Sequence, residues 1–247
     1  MVIRNVFPVE AMTTVRDRAD SGATRLPCND SAYYPGKVYG RVLPAEQDAT
    51  LVDYFEEAKL FREASEVLFE GLETDFLTRQ EQVLSAMAGG RKVELARHPD
   101  GREYQAFTLR KMLPGGEIGL HYENEAFDAP SLSGLSTISA SYPHVLSVYL
   151  AVQAPENGGE LCLYNISEFD PETPTLKTLP RDGEQTLAQF EGLAPRQPLP
   201  ATTGDMLLFD AGRYFHRVSR VEGPLPRWTM GSFIMLSDDD TTYHYFA

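Results

Sequence analysis

Cysteine is nearly absent from this 247-residue sequence, with only Cys28 and Cys162. Two isolated thiols make neither a disulfide framework nor a thiolate metal cluster, and a reducing, cytoplasmic setting suits them. No apolar run approaches the roughly 18 residues of a membrane span. The opening stretch, MVIRNVFPVEAMTTVRDRAD, lacks the long apolar core of a secretory leader. Neither a membrane partner nor a leader is therefore expected. Positive charge is also short: 22 Lys and Arg stand against 36 Asp and Glu, a net charge of −14. Such a surface repels phosphate, so no nucleic-acid partner is expected. An acidic carrier protein is disfavoured by the same repulsion, which leaves a small molecule as the expected partner. Internal repeats and low-complexity tracts are missing too, which argues against solenoid and fibrous architectures.

What is present is ordinary globular material, with 42% hydrophobic and 23% charged residues. A chain of this length can bury a sizeable core without metal or disulfide staples, and one domain spanning 1–247 is expected. Residues 1–43, with Pro8, Pro27 and the turn-like Tyr34-Pro35-Gly36, read as an irregular arm that is either mobile or covers a pocket. Residues 45–88 read as helix, since Phe61, Ala64, Leu68 and Leu72 recur at helical spacing and Phe76, Gln80, Leu84 and Met87 resume it beyond Gly71. Residues 1–90 thus form an arm plus helices.

From residue 91 the pattern becomes strand-like. Lys92–Arg97 and Glu103–Met112 flank a turn at His98-Pro99-Asp100-Gly101, where His98 is expected to face solvent. Further strand-like runs are Val145–Val152, Glu160–Tyr164, Met206–Phe209, Arg217–Val221 and Trp228–Leu236. Short strands punctuated by Gly and Pro predict a mainly β fold, a sandwich or barrel core over residues 91–240, with the N-terminal helices packed outside. Residues 166–203, carrying Pro171, Pro174, Pro180, Pro195, Pro198 and Pro200, interrupt the strands as an insertion or lid. A homodimer is left open.

Chemistry concentrates in two histidine contexts. His121-Tyr122-Glu123 is an H-x-E unit, and on extended backbone residues i and i+2 share a side, so an imidazole and a carboxylate could meet one ion. His216 follows the strand at 206–209. Two His and one carboxylate make a facial triad, which leaves three sites of an octahedral iron(II) open.

The surrounding pattern resembles the 2-oxoglutarate- and iron(II)-dependent oxygenases, most closely their prolyl 4-hydroxylase-like branch, over roughly residues 104–236. Four segments carry the resemblance in order. Met112-Leu113-Pro114-Gly115-Gly116-Glu117-Ile118-Gly119-Leu120 leads into His121-Tyr122-Glu123. Val148-Tyr149-Leu150 is followed by Glu156-Asn157-Gly158-Gly159-Glu160-Leu161. Gly204-Asp205-Met206-Leu207-Leu208-Phe209 precedes His216-Arg217-Val218. Val221-Glu222-Gly223 leads to Arg227-Trp228.

The resemblance implies a double-stranded β-helix, or jelly roll. It implies Fe(II) bound by His121, Glu123 and His216 as the catalytic, metal-binding set, with 2-oxoglutarate as co-substrate and O2 as oxidant. Arg227, 11 residues beyond His216, stands where the family grips the far carboxylate of 2-oxoglutarate, which suits a planar guanidinium. The implied activity is that of a dioxygenase, an oxidoreductase that hydroxylates an unactivated C–H of a small molecule such as an amino acid, short peptide or secondary-metabolite intermediate. Desaturation, cyclisation or epimerisation stay open.

Two departures stand out. The family's H-x-D is here H-x-E. Where prolyl hydroxylases often carry tyrosines, nine and three positions before the first histidine, this chain has Met112 and Ile118. A hydrogen bond to 2-oxoglutarate then has to come from elsewhere, with Tyr149, Ser147 and Thr229 as candidates. Halogenases of this type lose the carboxylate so that chloride can take its place, and Glu123 argues against that chemistry. Arg110, His144 and Arg213 are candidate substrate contacts.

Each residue also has a plain reading. His216 could be a satisfied core histidine and Glu123 a surface carboxylate. Arg227 could pair with a surface acid, Arg110 and Arg213 could be surface charges, and His144 could be structural. A cupin-like metal-binding module or a zinc jelly roll is the alternative for the whole chain, because zinc also accepts N and O ligands.

Overall fold

The computed structural model describes residues 1–22, 24–43, 49–123, 133–136, 145–167 and 184–247. Strands β1 (Val2–Ile3), β2 (Cys28–Asp30) and β3 (Gly36–Tyr39) and helix α1 (Val9–Asp20) come first. Helices α2 (Ala49–Phe69) and α3 (Phe76–Met87) follow, then β4 (Lys92–Leu95), β5 (Thr108–Met112), β6 (Ile118–His121) and the short α4 (Ser133–Ser136). Next are β7 (Leu146–Gln153), β8 (Asn157–Gly158), β9 (Leu161–Ser167), α5 (Glu184–Leu193) and β10 (Arg196–Leu199). The chain finishes with β11 (Met206–Asp210), β12 (Tyr214–Val218), β13 (Val221–Glu222), β14 (Arg227–Leu236) and β15 (Thr242–Phe246).

Two sheets, antiparallel except for the parallel β4–β15 pair, make the jelly roll. The larger runs β1-β11-β7-β14-β5-β3-β2, with β15 on the far part of β14 and β4 beside β15. The smaller runs β10-β9-β12-β6. Side-chain alternation gives the large sheet two different faces. Trp228, Met230 and Ile234 of β14, with Leu109, Val148, Leu150 and Val152, pack against Met12, Val15, Phe61, Leu68, Phe76 and Leu84 of the three helices. The intervening residues Arg227, Thr229 and Phe233 of β14 line a pocket. The helices therefore cover the outer face, as their periodicity predicts, and the polar residues are left for the inner one.

The helix ends follow local chemistry. Asp75 caps α3 by accepting the Thr78 backbone N–H at 2.8 Å, and Gly89 and Gly90 adopt positive φ just beyond it. α1 starts after Pro8, which has no N–H to leave unpaired.

The first 43 residues differ from the irregular arm expected. They contain α1, whose Met12, Val15 and Ala19 are buried, and three strands of the large sheet. The helical spacing of those three residues is short, and flanking prolines mask it. The β core accordingly reaches beyond residues 91–240, from β1 to Phe246. His98 does sit in a turn, closed by Gly101 N–H to its carbonyl at 2.8 Å, but its ring packs on Phe55 and Tyr104 and is only partly exposed.

Within 166–203, Leu199, Pro200, Ala201 and Thr202 line a second cavity beside Tyr149, Arg227 and Thr229. β10 pairs with β9 as an edge of the small sheet. Phe190 of α5 packs with Tyr122, Tyr164 and Phe215 on that sheet's outer face, where Arg217 also donates to the Tyr164 hydroxyl at 2.8 Å. Residues 168–183 of the segment expected as an insertion or lid lie outside the described residues. No described helix is long and apolar enough to cross a membrane.

Candidate metal centre and co-substrate pocket

His121 ends β6 and His216 lies inside β12, the strand after β11; the two are direct cross-strand partners. That register brings the ring centroids to 4.2 Å. Each ring is fixed from behind: His121 Nδ1 lies 2.7 Å from the Gly119 carbonyl and His216 Nδ1 lies 3.0 Å from the Tyr214 carbonyl. A carbonyl accepts only, so each Nδ1 carries the proton and each Nε2 presents a lone pair to the pocket. Phe209 adds an edge contact on His216 at 4.9 Å.

Glu123 completes the group. Its N–H donates to the Ala211 carbonyl at 2.9 Å, which holds the chain just past β6 against the β11–β12 turn. Its Oε1 lies 3.5 Å from His121 Nε2 and 3.8 Å from His216 Nε2. One ligand atom from each of the three residues lies within 4.8 Å of the others. Neighbouring ligands at roughly 2.1 Å from one octahedral ion are about 3 Å apart, so this donor set fits a single divalent metal.

Electrostatics keep the Glu123 carboxylate ionised. Burial opposes the Glu123 carboxylate, but the two imidazoles outweigh it and hold its pKa well below the usual range. Burial disfavours charge on His121, yet Glu123 beside it pushes its pKa up, whereas burial and the neighbouring His121 push His216 down.

Arg227 lies across the pocket, 8% exposed, beside Met112 on β5. Its Nη1 lies 3.4 Å from the Thr229 hydroxyl, its guanidinium sits 5.1 Å from the Tyr149 ring centre, and no carboxylate pairs with it among the described residues. Gly159 explains the close fit: at φ +68° it has no side chain, and an added Cβ would come within 3.2 Å of Arg227 Cδ. Ser147, Tyr149 and Thr229, the candidate co-substrate contacts, all line the pocket. Burial pushes the Tyr149 phenol pKa up, with Arg227 pulling the other way.

Arg110 faces the pocket across from Thr229, with the Thr108 hydroxyl, at 3.2 Å, as its only hydrogen-bond partner among the described residues. Its charge lies near enough to His121 to disfavour a second cation there. Arg213 does not join it. It sits exposed in the β11–β12 turn over the Tyr214 ring. His144 lies outside the described residues. Sequence reasoning missed Tyr34, Phe209, Val218 and Phe233 as pocket walls. Alternation along β11, β12 and β14 could have found the last three, but only the fold reveals Tyr34.

A jelly roll holding two histidines and one carboxylate at one end and a buried arginine at the other has the form of an iron(II)- and 2-oxoglutarate-dependent oxygenase. The model of the carrier-protein-independent halogenase WelO5 family matches residues 1–247, and the chain belongs to that family. The fold is shared with an N-substituted L-amino acid dioxygenase from Burkholderia ambifaria AMMD (16% identity, TM-score 0.56, 97% of this chain and 91% of that one). It is also shared with HygX from Streptomyces hygroscopicus, solved with nickel and 2-oxoglutarate (13% identity, TM-score 0.50, 94% and 81%). A third relative in structure is SnoN, an α-ketoglutarate-dependent epimerase of nogalamycin biosynthesis (12%, 0.50, 95% and 76%). No curated protein matches the chain in sequence. The chain is an oxidoreductase of this superfamily, whose cofactors are iron(II) and 2-oxoglutarate.

Proposed function

We propose that the protein hydroxylates an unactivated C–H of a small molecule, consuming 2-oxoglutarate and O2 and releasing succinate and CO2. The observation that carries this reading is Glu123, whose carboxylate lies within ligand distance of both imidazoles. His121, Glu123 and His216 would hold iron(II), which when bound supplies the activation of O2. Arg227 would hold the far carboxylate of 2-oxoglutarate, with Thr229, Tyr149 and Ser147 around it. Three protein ligands leave three positions of an octahedron, two for 2-oxoglutarate and one for O2. None is left for a halide.

Halogenation is the second reading, favoured by the description of the family. Ligand arithmetic weighs against it for this chain. The family's independence from carrier proteins does agree with a net charge of −14, which would repel an acidic carrier. Arg110, an unpaired cation among the described residues near His121, favours a substrate with an anionic group, such as an amino-acid derivative.

A chloride titration of the iron- and 2-oxoglutarate-loaded protein under argon separates the two readings without a known substrate. Hydroxylation predicts that the metal-centred absorption ignores chloride in the wild type and responds to it in Glu123→Gly. A wild-type spectrum that shifts with chloride supports halogenation.

A further inference from the structure

The inward residues of β14 run in step with those of β5. Arg227 pairs with Met112, Thr229 with Arg110, and Gly231 with Thr108. Arg110 lines the pocket and is half-buried, and its Nε donates to the Thr108 hydroxyl at 3.2 Å. Its side chain therefore runs along β5 away from Met112, and so away from the level of Arg227. It leads to the level of Gly231, where no side chain stands. Position 231 faces the pocket, since an added Cβ would come within 3.1 Å of the Tyr149 Cβ. Glycine thus leaves room beside the guanidinium that any side chain would fill. The two terminal nitrogens of Arg110 have no hydrogen-bond partner among the described residues. A planar cation held from behind by one hydroxyl, with open space before it, is placed to receive an anion.

The next level along the sheet says what the rest of that molecule is like. Phe233 of β14 pairs with Ser147 of β7, and Ser147 pairs with Phe209 of β11. Phe209 touches the His216 ring at 4.9 Å. Two aromatic side chains, one on each side of Ser147, therefore lie along the pocket wall at the level of the metal ligands. A guanidinium next to an aromatic row suits a molecule with an anionic head and an apolar body. In the proposed function the far carboxylate of 2-oxoglutarate goes to Arg227 and the near one to the metal, so neither is left for Arg110. We propose that Arg110 binds the carboxylate of the main substrate, an apolar monocarboxylic acid whose body lies over Phe233 and Phe209 beside His216. The carboxylate is then the fixed point from which the body reaches the metal, so Arg110 determines which carbon of the body is presented.

The inference rests on the reading of the protein as a 2-oxoglutarate-dependent hydroxylase, and the test keeps the two apart. Full-length wild type, Arg110→Gln and Arg110→Lys are loaded with manganese(II), and 2-oxoglutarate binding is measured by calorimetry. 4-Fluorophenylacetate and its neutral amide are then titrated at saturating 2-oxoglutarate. Fluorine NMR follows them, because the paramagnetic metal broadens the signal of a probe bound beside it. The wild type should bind the acid about tenfold more tightly than the amide, with broadening, as one charge-assisted contact requires. Arg110→Gln should lose about tenfold for the acid and nothing for the amide, and Arg110→Lys should fall between. Equal binding of acid and amide by the wild type, binding of neither, or an equal or absent loss for both in Arg110→Gln overturns the role of Arg110. So does an acid that 2-oxoglutarate displaces, or an Arg110→Gln protein that loses 2-oxoglutarate instead, which would give Arg110 to the co-substrate. A wild type that binds no 2-oxoglutarate overturns the underlying reading, and the comparison of acid with amide, made without it, still decides on Arg110.

Discussion

Replacing Arg227 by alanine probes the pocket at the point where binding and stability pull in opposite directions. The guanidinium is 8% exposed and has no carboxylate partner among the described residues, only a long contact of 3.4 Å to Thr229 and the face of Tyr149. A bound carboxylate would receive two parallel charge-assisted hydrogen bonds, each contributing roughly 1.5–3 kcal/mol. Part of that is offset by water entering the emptied space, so a net loss of about 1.4–3 kcal/mol is expected. At about 1.4 kcal/mol per decade this is a 10- to 100-fold rise in the 2-oxoglutarate KM. Arg227→Lys should fall between, since a point charge replaces a planar fork. Without ligand the wild type carries an unpaired buried cation, which is costly, so Arg227→Met should be no less stable than the wild type. Initial rates of succinate formation across a range of 2-oxoglutarate, with ligand-free melts of the same samples, read both quantities. An alanine variant with a wild-type KM would refute the anchor. A ligand-free Arg227→Met protein destabilised by several kcal/mol would refute the view that Arg227 waits for an anion.

Other outcomes follow from the same structure. His121→Ala and His216→Ala each remove one Nε2 donor and should abolish tight binding of a divalent metal, which equilibrium dialysis with manganese(II) would show. Trp228→Ala empties a fully buried site stacked on Tyr39 at 5.7 Å and should cost about 3–5 kcal/mol in urea unfolding. A loss below ~1 kcal/mol would mean that the outer-face core is misplaced. Asp205 accepts from Arg4 at 2.6 Å, Asn5 N–H at 3.0 Å, and Thr202 N–H and hydroxyl at 2.8 Å each. Burial alone would raise its pKa, but these donors outweigh it and hold the pKa below the usual value. Its stabilisation should be complete above about pH 4 and fade as pH falls through the lowered pKa. Asp205→Asn should therefore cost about 2–4 kcal/mol at neutral pH, with the gap to wild type closing in acid; a gap independent of pH would contradict the assignment.

The closeness of His121 and Glu123 was legible because strand periodicity is short-range: on extended backbone H-x-E puts two side chains on one side. The pairing of His121 with His216 was not, since register between strands 95 residues apart depends on how the sheets close. Arg227 came from the family resemblance, with Thr229, Tyr149 and Ser147 as candidates in place of the family's tyrosines, and all four line the pocket. Tyr34 escaped because its loop has no periodicity, and only the pairing of β3 with β5 carries it to the pocket. α1 escaped because a 12-residue amphipathic pattern between prolines is hard to separate from coil. Arg213 misled because an arginine near a ligand histidine in sequence is on a turn here, pointing its charge to solvent and Tyr214.

If His121, Glu123 and His216 hold iron(II), the protein couples 2-oxoglutarate to O2 through them. Succinate formation by the purified full chain, with and without iron(II), beside His216→Ala, tests it most directly. The wild type should release succinate slowly and in an iron-dependent way even without a main substrate, and His216→Ala should release none. Succinate formed equally by His216→Ala, or none from the iron-loaded wild type, would contradict it.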